Sequence, residues 1–364
     1  MKIYLVGGAI RDTLLGREVS ERDWCVVGAD VESMLAQGFK PVGKDFPVFL
    51  HPDTGEEYDL ARTERKTAVG YHGFTFHTDP DISIEQDLQR RDLTINAMAK
   101  LQDSETIIDP YGGKNDLEQG ILRHVSEAFV EDPLRVLRLA RFSAVLPDFR
   151  VADETMALLK HIVTSGEVKS LVPERVWQEI TKAILAFAPS QFFSVLKSCG
   201  ALAQLMPEID VLDLVDGGGI ESICSQFTPS TQLTIRFAAI WGQCSLDALS
   251  SIQDRVRVPS ACMDLAKMLA AYGEGLLDLE NLSAEDMLAV YVNLDAFRRE
   301  QRYEDFLAAV NLRFSGKIDV GRMRNGLKAC QEIDVSELQA RGYSGEALGK
   351  AIQTERLAKL KLIW

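Results

Sequence analysis

The sequence predicts an α+β fold: a head that mixes short strands with helices around a mixed sheet, followed by a long all-α part. Three observations predict it. Short apolar runs stopped by glycine occupy the first ~110 residues. From Asp132 onward the apolar residues recur at helical spacing. At 364 residues the chain is long enough for more than one packed unit.

In chain order, Tyr4-Leu5-Val6 reads as a buried strand ending at Gly7-Gly8. Ala9 to Leu15 reads as a short helix stopped by Gly16. Asp23-Trp24-Cys25-Val26-Val27 is a second strand, ended by Gly28, and Val48–Leu50 and Glu57–Ala61 are further strand candidates. The polar, Gly-containing stretch from Arg62 to Pro80 reads as a mobile loop. EDPLRVLRLARFSAVL places Leu134, Leu137 and Phe142 on one helical face, with Pro133 in a first turn. VADETMALLKHI follows with Asp153 as its expected cap, then an amphipathic helix from Pro173 and one from Pro189 that ends at Gly200. More helices are expected up to Trp364, with no internal repeat.

Composition bounds the function. No apolar run approaches the roughly 18 residues of a membrane span, and MKIYLVGGAIRD is too short in its apolar part for a signal peptide, so no membrane partner is expected. Six scattered cysteines without a CxxC pair indicate reduced thiols and a cytoplasmic location, and no zinc. The net charge of −14 opposes a nucleic-acid partner, and residues 1–141 alone hold 25 Asp+Glu against 17 Lys+Arg. Any RNA contact therefore requires a local basic surface; the candidates are an arginine stripe at 135–141 and Lys350, Lys359 and Lys361.

Four clusters carry chemistry. Gly7-Gly8-x-x-Arg11-Asp12 lies between a strand and a helix, where glycines let backbone N–H groups approach a phosphate and Arg11 adds a charge. A tight turn without a ligand has the same appearance. Ten residues on, Glu21 and Asp23 share one face of a strand start, where paired carboxylates suit metal ions about 4 Å apart. Alone, this is also an exposed acidic strand end. In Gln89–Ala97 the adjacent arginines suit a phosphate chain and Asp92 a ribose hydroxyl, or the run is a solvated helix end. Finally Asp132, Arg135, Arg138 and Arg141 recur every third residue, giving a slowly drifting polar stripe on a helix whose other side is apolar. An Asp–Arg pair complements the amino donor beside a ring-nitrogen acceptor that cytosine and adenine present, and opposes the reverse order of guanine and uracil. The histidines (His51, His72, His77, His124, His161) show no ligand spacing, and Trp24, Trp177 and Trp241 read as core anchors.

In order and spacing, LVGGAIRD, ERDW, DFPVFLHP, RRDLTINAMA, DPYGGKNDL, RHVSEAFVEDPLRVLRLARF and PERVWQE resemble the class II tRNA nucleotidyltransferases of bacteria, which share their head with bacterial poly(A) polymerases. The resemblance runs from residue 1 to about 210. It implies a polymerase-beta-like nucleotidyltransferase head (1–140), a helical neck (141–210), and a body and tail (211–364). It implies template-independent addition of C, C and A from CTP and ATP to a tRNA 3′ end, by two-metal phosphoryl transfer with Mg²⁺. The partners implied are the tRNA 3′ end and acceptor arm, CTP and ATP. Position by position, Gly8 and Arg11 bind triphosphate, and Glu21 and Asp23 are the metal-binding catalytic acids. Arg91 binds nucleotide and Asp92 contacts ribose, while Asp132, Arg135, Arg138 and Arg141 bind the nucleotide as an amino-acid template. A-only, CC-only or poly(A) addition, or a catalytically impaired tRNA-binding paralogue, are the alternatives.

Two departures stand out. The family's Asp-x-Asp is Glu21-Arg22-Asp23 here, one methylene longer, with Glu57 as a possible supporting carboxylate. Many relatives also carry a phosphohydrolase His-Asp pair shortly after a run like Arg236–Ile240. Here Trp241-Gly242-Gln243 follows, and no histidine occurs after His161, so that side activity is expected to be absent.

Overall fold

β1 (Lys2–Val6) leads into α1 (Gly8–Leu14), and β2 (Asp23–Val27) into α2 (Val31–Ala36). β3 (Lys40–Val42), β4 (Val48–Leu50) and β5 (Glu57–Leu60) follow, then a hairpin of β6 (Arg62–Lys66) and β7 (Phe74–Thr78). α3 (Ile84–Gln89), β8 (Ala99–Leu101) and β9 (Ile107–Ile108) come next. The computed structural model describes residues 1–42, 48–66, 74–212 and 219–364, with the backbone alone for 64–66 and 74–77. The expected mobile loop at Arg62–Pro80 is therefore corrected at its two ends, which pair as strands; its centre, with His72, lies outside the described residues. β6 is wholly polar and β7 alternates over only two phenylalanines, and the pair forms its own sheet outside the main one.

The main sheet is mixed, in the order β3-β4-β5-β2-β1-β8-β9. β2 runs antiparallel to β1 and parallel to β5, with Asp23 opposite Glu57 and Cys25 opposite Asp59. Side-chain alternation gives the sheet two apolar faces. Tyr4, Val6, Cys25 and Ala99 pack under Ile84 and Leu88 of α3 on one side. Val26, Phe49, Tyr58 and Leu60 pack under Met34 of α2 on the other. α3 begins with a capping box, Ser83 and Gln86 each bonding the other's backbone, which fixes where its last turn delivers Arg90 and Arg91.

α4 (Gly113–Gln119), α5 (Leu134–Val145), α6 (Asp153–Ser165), α7 (Pro173–Ile184) and α8 (Pro189–Cys199) follow. α5 packs against α7 and α8, burying Val136, Leu137, Leu139 and Ala140. α6 starts at Asp153 itself, so the cap lies one residue earlier than expected: Ala152 is the extended N-cap, and Asp153 is a first-turn acid, where the helix dipole favours it. Gly200 closes α8 in the left-handed conformation, as expected.

The chain divides into two compact units, Met1–Pro207 and Glu208–Trp364. The second is helical throughout its described residues. Leu233–Trp241 is buried on nearly every side and packs against Ser260–Tyr272 and Glu300–Arg313. Trp241 is 1% exposed and stacks on Phe237 at 4.4 Å, so it is the core anchor expected. Trp24 and Trp177 are only half-buried; Trp24 stacks on Tyr58 and donates its indole N–H to Glu56. No described helix is long and apolar enough to cross a membrane.

Candidate active site

A cleft of about 560 Å³ opens in the first unit, and every site residue named from the sequence lines it: Gly8, Arg11, Glu21, Asp23, Arg91, Asp92, Asp132, Arg135, Arg138 and Arg141. Arg90, the other of the two adjacent arginines read as suiting a phosphate chain, lines it as well; sequence reading missed Asp59, Arg62, Asn96, Arg175 and Lys182, which line it too.

The floor is the β1–α1 turn. Gly7 has φ +72°, and a Cβ there would sit 3.1 Å from the Arg91 guanidinium. Glycine is required on both counts: the turn's conformation and the close approach of Arg91. Arg11 does not point freely into solvent. Its guanidinium donates to both Asp12 oxygens at 2.9 and 2.8 Å and to Asn96 Oδ1 at 2.8 Å. Asn96 in turn donates to Asp92 Oδ1 at 3.2 Å, and Asp92 Oδ2 accepts two bonds from Arg138 at 2.8 and 2.6 Å. This polar chain joins the Gly-Gly turn to α5. Burial raises the Asp92 carboxyl pKa, but Arg138 outweighs it and holds Asp92 well below the usual carboxylate range.

Glu21 and Asp23 stand at the mouth, with Asp59 beside them on β5. Glu57, expected as the supporting acid, lines the adjoining groove instead, together with Glu21, Asp23 and Glu56. Desolvation, then the like charges of Asp59 and Glu21, raises the Asp23 pKa against the pull of Arg91. Asp59 is raised by burial against Arg62, Arg90 and Arg91, and Glu57 by burial and the charges of Asp23, Asp59 and Glu21. These oxygen donors crowd one another's negative charge, which is the donor chemistry of a hard divalent cation. Among the described residues no three His, Cys, Asp or Glu side chains enclose a metal position by themselves. A hard divalent cation can be held by one or two carboxylates when water and substrate phosphates complete its shell.

The wall is α5 with α7. Asp132, just before α5, accepts from the N–H of the helix's first residue, Leu134, at 3.0 Å through Oδ1. Its Oδ2 meets Arg175 of α7 at only 3.5 Å, the outer limit of a hydrogen bond. Arg135 is 8% exposed, fixed by the carbonyls of Ala128 at 3.0 Å and Arg90 at 2.5 Å. Arg141 is anchored to Glu179 of α7 at 2.7 Å and lies over the Phe142 ring at 4.2 Å. α5 and α7 thus exchange two ion pairs, Asp132–Arg175 and Arg141–Glu179. The signal for this was in the run PERVWQE, whose Arg175 and Glu179 are one helical turn apart and face the same neighbour. Of the histidines, His124 bonds Thr155 at 2.8 Å, His51 packs edge-on against Phe39, and His161 is exposed.

Comparison with known proteins gives the same picture. The "Poly A polymerase head domain" family matches residues 3–123, and the "Probable RNA and SrmB- binding site of polymerase A" family matches residues 148–212. The chain is 45% identical to a CCA-adding enzyme of Coxiella burnetii over 364 residues, covering 100% of this chain and 96% of that one. It is 48% identical to a multifunctional CCA protein of Pseudomonas putida over 370 residues, covering 99% of each. In fold it is similar to a Thermotoga maritima CCA-adding enzyme complexed with tRNA, with TM-score 0.72 and 23% identity over 99% of this chain and 87% of that one. A Bacillus stearothermophilus CCA-adding enzyme in complex with CTP gives 0.69 and 22%, over 99% and 88%. With a head, cleft and full-length kinship that agree, the chain belongs to the CCA-adding enzyme family and is a nucleotidyltransferase.

Proposed function

We propose that this protein adds C, C and A to the 3′ end of tRNA from CTP and ATP without a nucleic-acid template. The observation that carries this is the convergence in one cleft of the Glu21/Asp23 carboxylates and the Asp132–Arg135 pair. The head (1–140) does the chemistry, the neck (141–210) supports α5, and the rest of the chain, with the neck, takes the tRNA acceptor arm. Six buried free cysteines fit a cytoplasmic site of action.

Each end of the nucleotide has its place. Asp132 Oδ2, only loosely engaged by Arg175, accepts the amino hydrogen of cytosine or adenine, and Arg135 donates to the neighbouring ring nitrogen. Guanine and uracil set an acceptor against Asp132 and a donor against Arg135. Asp92, buried but lining the cleft, meets a ribose hydroxyl. Arg11, Arg91, Arg138 and Arg141 hold the triphosphate, with the Gly8 backbone close beneath it. Glu21 and Asp23 are the groups that would hold Mg²⁺, whose charge, when bound, stabilises in-line displacement at the α-phosphorus. In the overall reaction the tRNA 3′-oxygen bonds to the α-phosphorus, the bond to the β-phosphate oxygen breaks, and pyrophosphate and the hydroxyl proton leave.

The test is incubation of the purified protein and tRNA lacking its last three nucleotides with each labelled nucleotide in turn. CTP alone should add two residues, CTP with ATP three. UTP or GTP incorporated as well as CTP would refute the template role of Asp132 and Arg135. ATP-only, CC-only or homopolymeric products would identify the corresponding partial activity.

A further inference from the structure

Asp87 is a side chain that the reaction as described does not use. It lies in α3, is 0% exposed, and sits directly behind the cleft. Its Oδ1 accepts from Arg90 at 3.0 and 2.7 Å and from the Arg62 backbone N–H at 3.3 Å, and its Oδ2 accepts from Arg91 at 3.2 Å. Burying a carboxylate is costly unless charged donors surround it, and here they do. Burial alone would raise its pKa, but Arg90 and Arg91 more than reverse this, so it stays ionised.

The dependence also runs the other way. Arg91 makes a single side-chain hydrogen bond to the described residues, the one to Asp87, and its Nε is buried without a partner. Arg90 and Arg91 are adjacent cations at the end of a short helix, and each repels the other. Without an anion behind them they would splay toward solvent. With it, both line the cleft.

We propose that Asp87 is a positioning residue for the triphosphate subsite, aiming Arg90 and Arg91 at the nucleotide's phosphates before it binds. This rests on the reading of the cleft as a CTP and ATP site. It gives Arg90 the same phosphate-binding role as Arg91 and makes a buried acid one determinant of phosphate affinity, independent of the base.

The test uses the full chain carrying Asp87→Asn, nearly isosteric but uncharged, with equilibrium binding of CTP and of cytidine measured in parallel. CTP should bind about tenfold or more weakly because the charge-assisted contacts lose their alignment. Cytidine, which lacks phosphates, should bind as to wild type. In steady state the KM for CTP should rise while kcat at saturation stays within about threefold. Asp87→Glu, which keeps the charge but displaces it, should lose CTP affinity by about threefold with cytidine again unchanged, and decides the matter if the Asn variant does not fold. Unchanged CTP affinity, or CTP and cytidine falling together, would overturn the proposal and leave Asp87 a purely structural acid. A wild type that binds no CTP would overturn the reading of the cleft, and this proposal with it.

Discussion

At the scale of single residues, Asp23 is held in an environment that opposes its charge. Its pKa is raised by desolvation and by Asp59 and Glu21, so the folded state binds its proton more tightly than the unfolded chain does. The sign follows: stability associated with this group is complete at low pH and is lost as pH rises through the raised value. At neutral pH, then, the ionised Asp23 weakens the fold, and a neutral isostere should strengthen it. In metal-free buffer at pH 7, Asp23→Asn should melt above wild type. Added Mg²⁺ should raise the wild-type Tm and leave the variant unmoved. A differential scanning measurement with and without the ion checks both halves. Glu21 was legible as a departure from Asp-x-Asp, but Asp59 was not, because what brings it to Asp23 is the parallel register of β2 on β5. Such a pairing is non-local and leaves no trace in spacing.

Among the elements, the two ion pairs between α5 and α7 illustrate how burial decides energetic weight. Arg141 and Glu179 are 14% and 6% exposed at the side chain, whereas Arg324 and Glu304, in the second unit, are 51% and 35% exposed. Removing one partner of a nearly buried pair strands the other, at a cost of about 3 kcal/mol. An exposed pair contributes about 0–1 kcal/mol. Urea unfolding should therefore show Glu179→Ala much less stable than wild type and Arg324→Ala nearly unaffected. Equal losses would mean that α5 and α7 are held by apolar packing alone. α5 and α7 themselves were plain in the sequence, since Pro133 and Pro173 mark their starts and apolar spacing marks their buried faces. Their pairing was not, as Arg175 and Glu179 lie 43 and 38 residues from their partners. The β6–β7 hairpin was hidden for another reason: β6 is wholly polar, and the alternation of Phe74 and Phe76 in β7 is too short to signal a strand alone.

For the whole molecule, the question is how a chain of net charge −14 holds RNA. The cleft answers part of it. Arginines from α1, α3, α5 and α7 converge there, most with a carboxylate behind them, so a local positive surface coexists with an acidic total. Those carboxylates also set the acid limit of the fold. Burial opposes ionisation of Asp87 and Asp92, yet their arginines prevail and hold both pKa values below the ordinary range. Their contribution is full above the unfolded carboxyl value of about 3.9, shrinks below it, and is lost as pH falls through the lowered folded values. Urea midpoints should drop progressively as pH falls below about 5, and less steeply in Asp92→Asn than in wild type. A midpoint independent of pH would contradict the buried network.

The central claim is that the acids at the mouth of this cleft perform metal-dependent nucleotide transfer to tRNA. The most direct measurement compares wild type and Asp23→Ala for CTP incorporation into tRNA lacking its 3′ end, beside their tRNA affinities. Wild type should extend the tRNA only when Mg²⁺ is present, and Asp23→Ala should bind tRNA equally and extend it at least about a thousandfold more slowly. A wild type that binds tRNA without extending it, or an Asp23→Ala that extends it at the wild-type rate, would contradict the account.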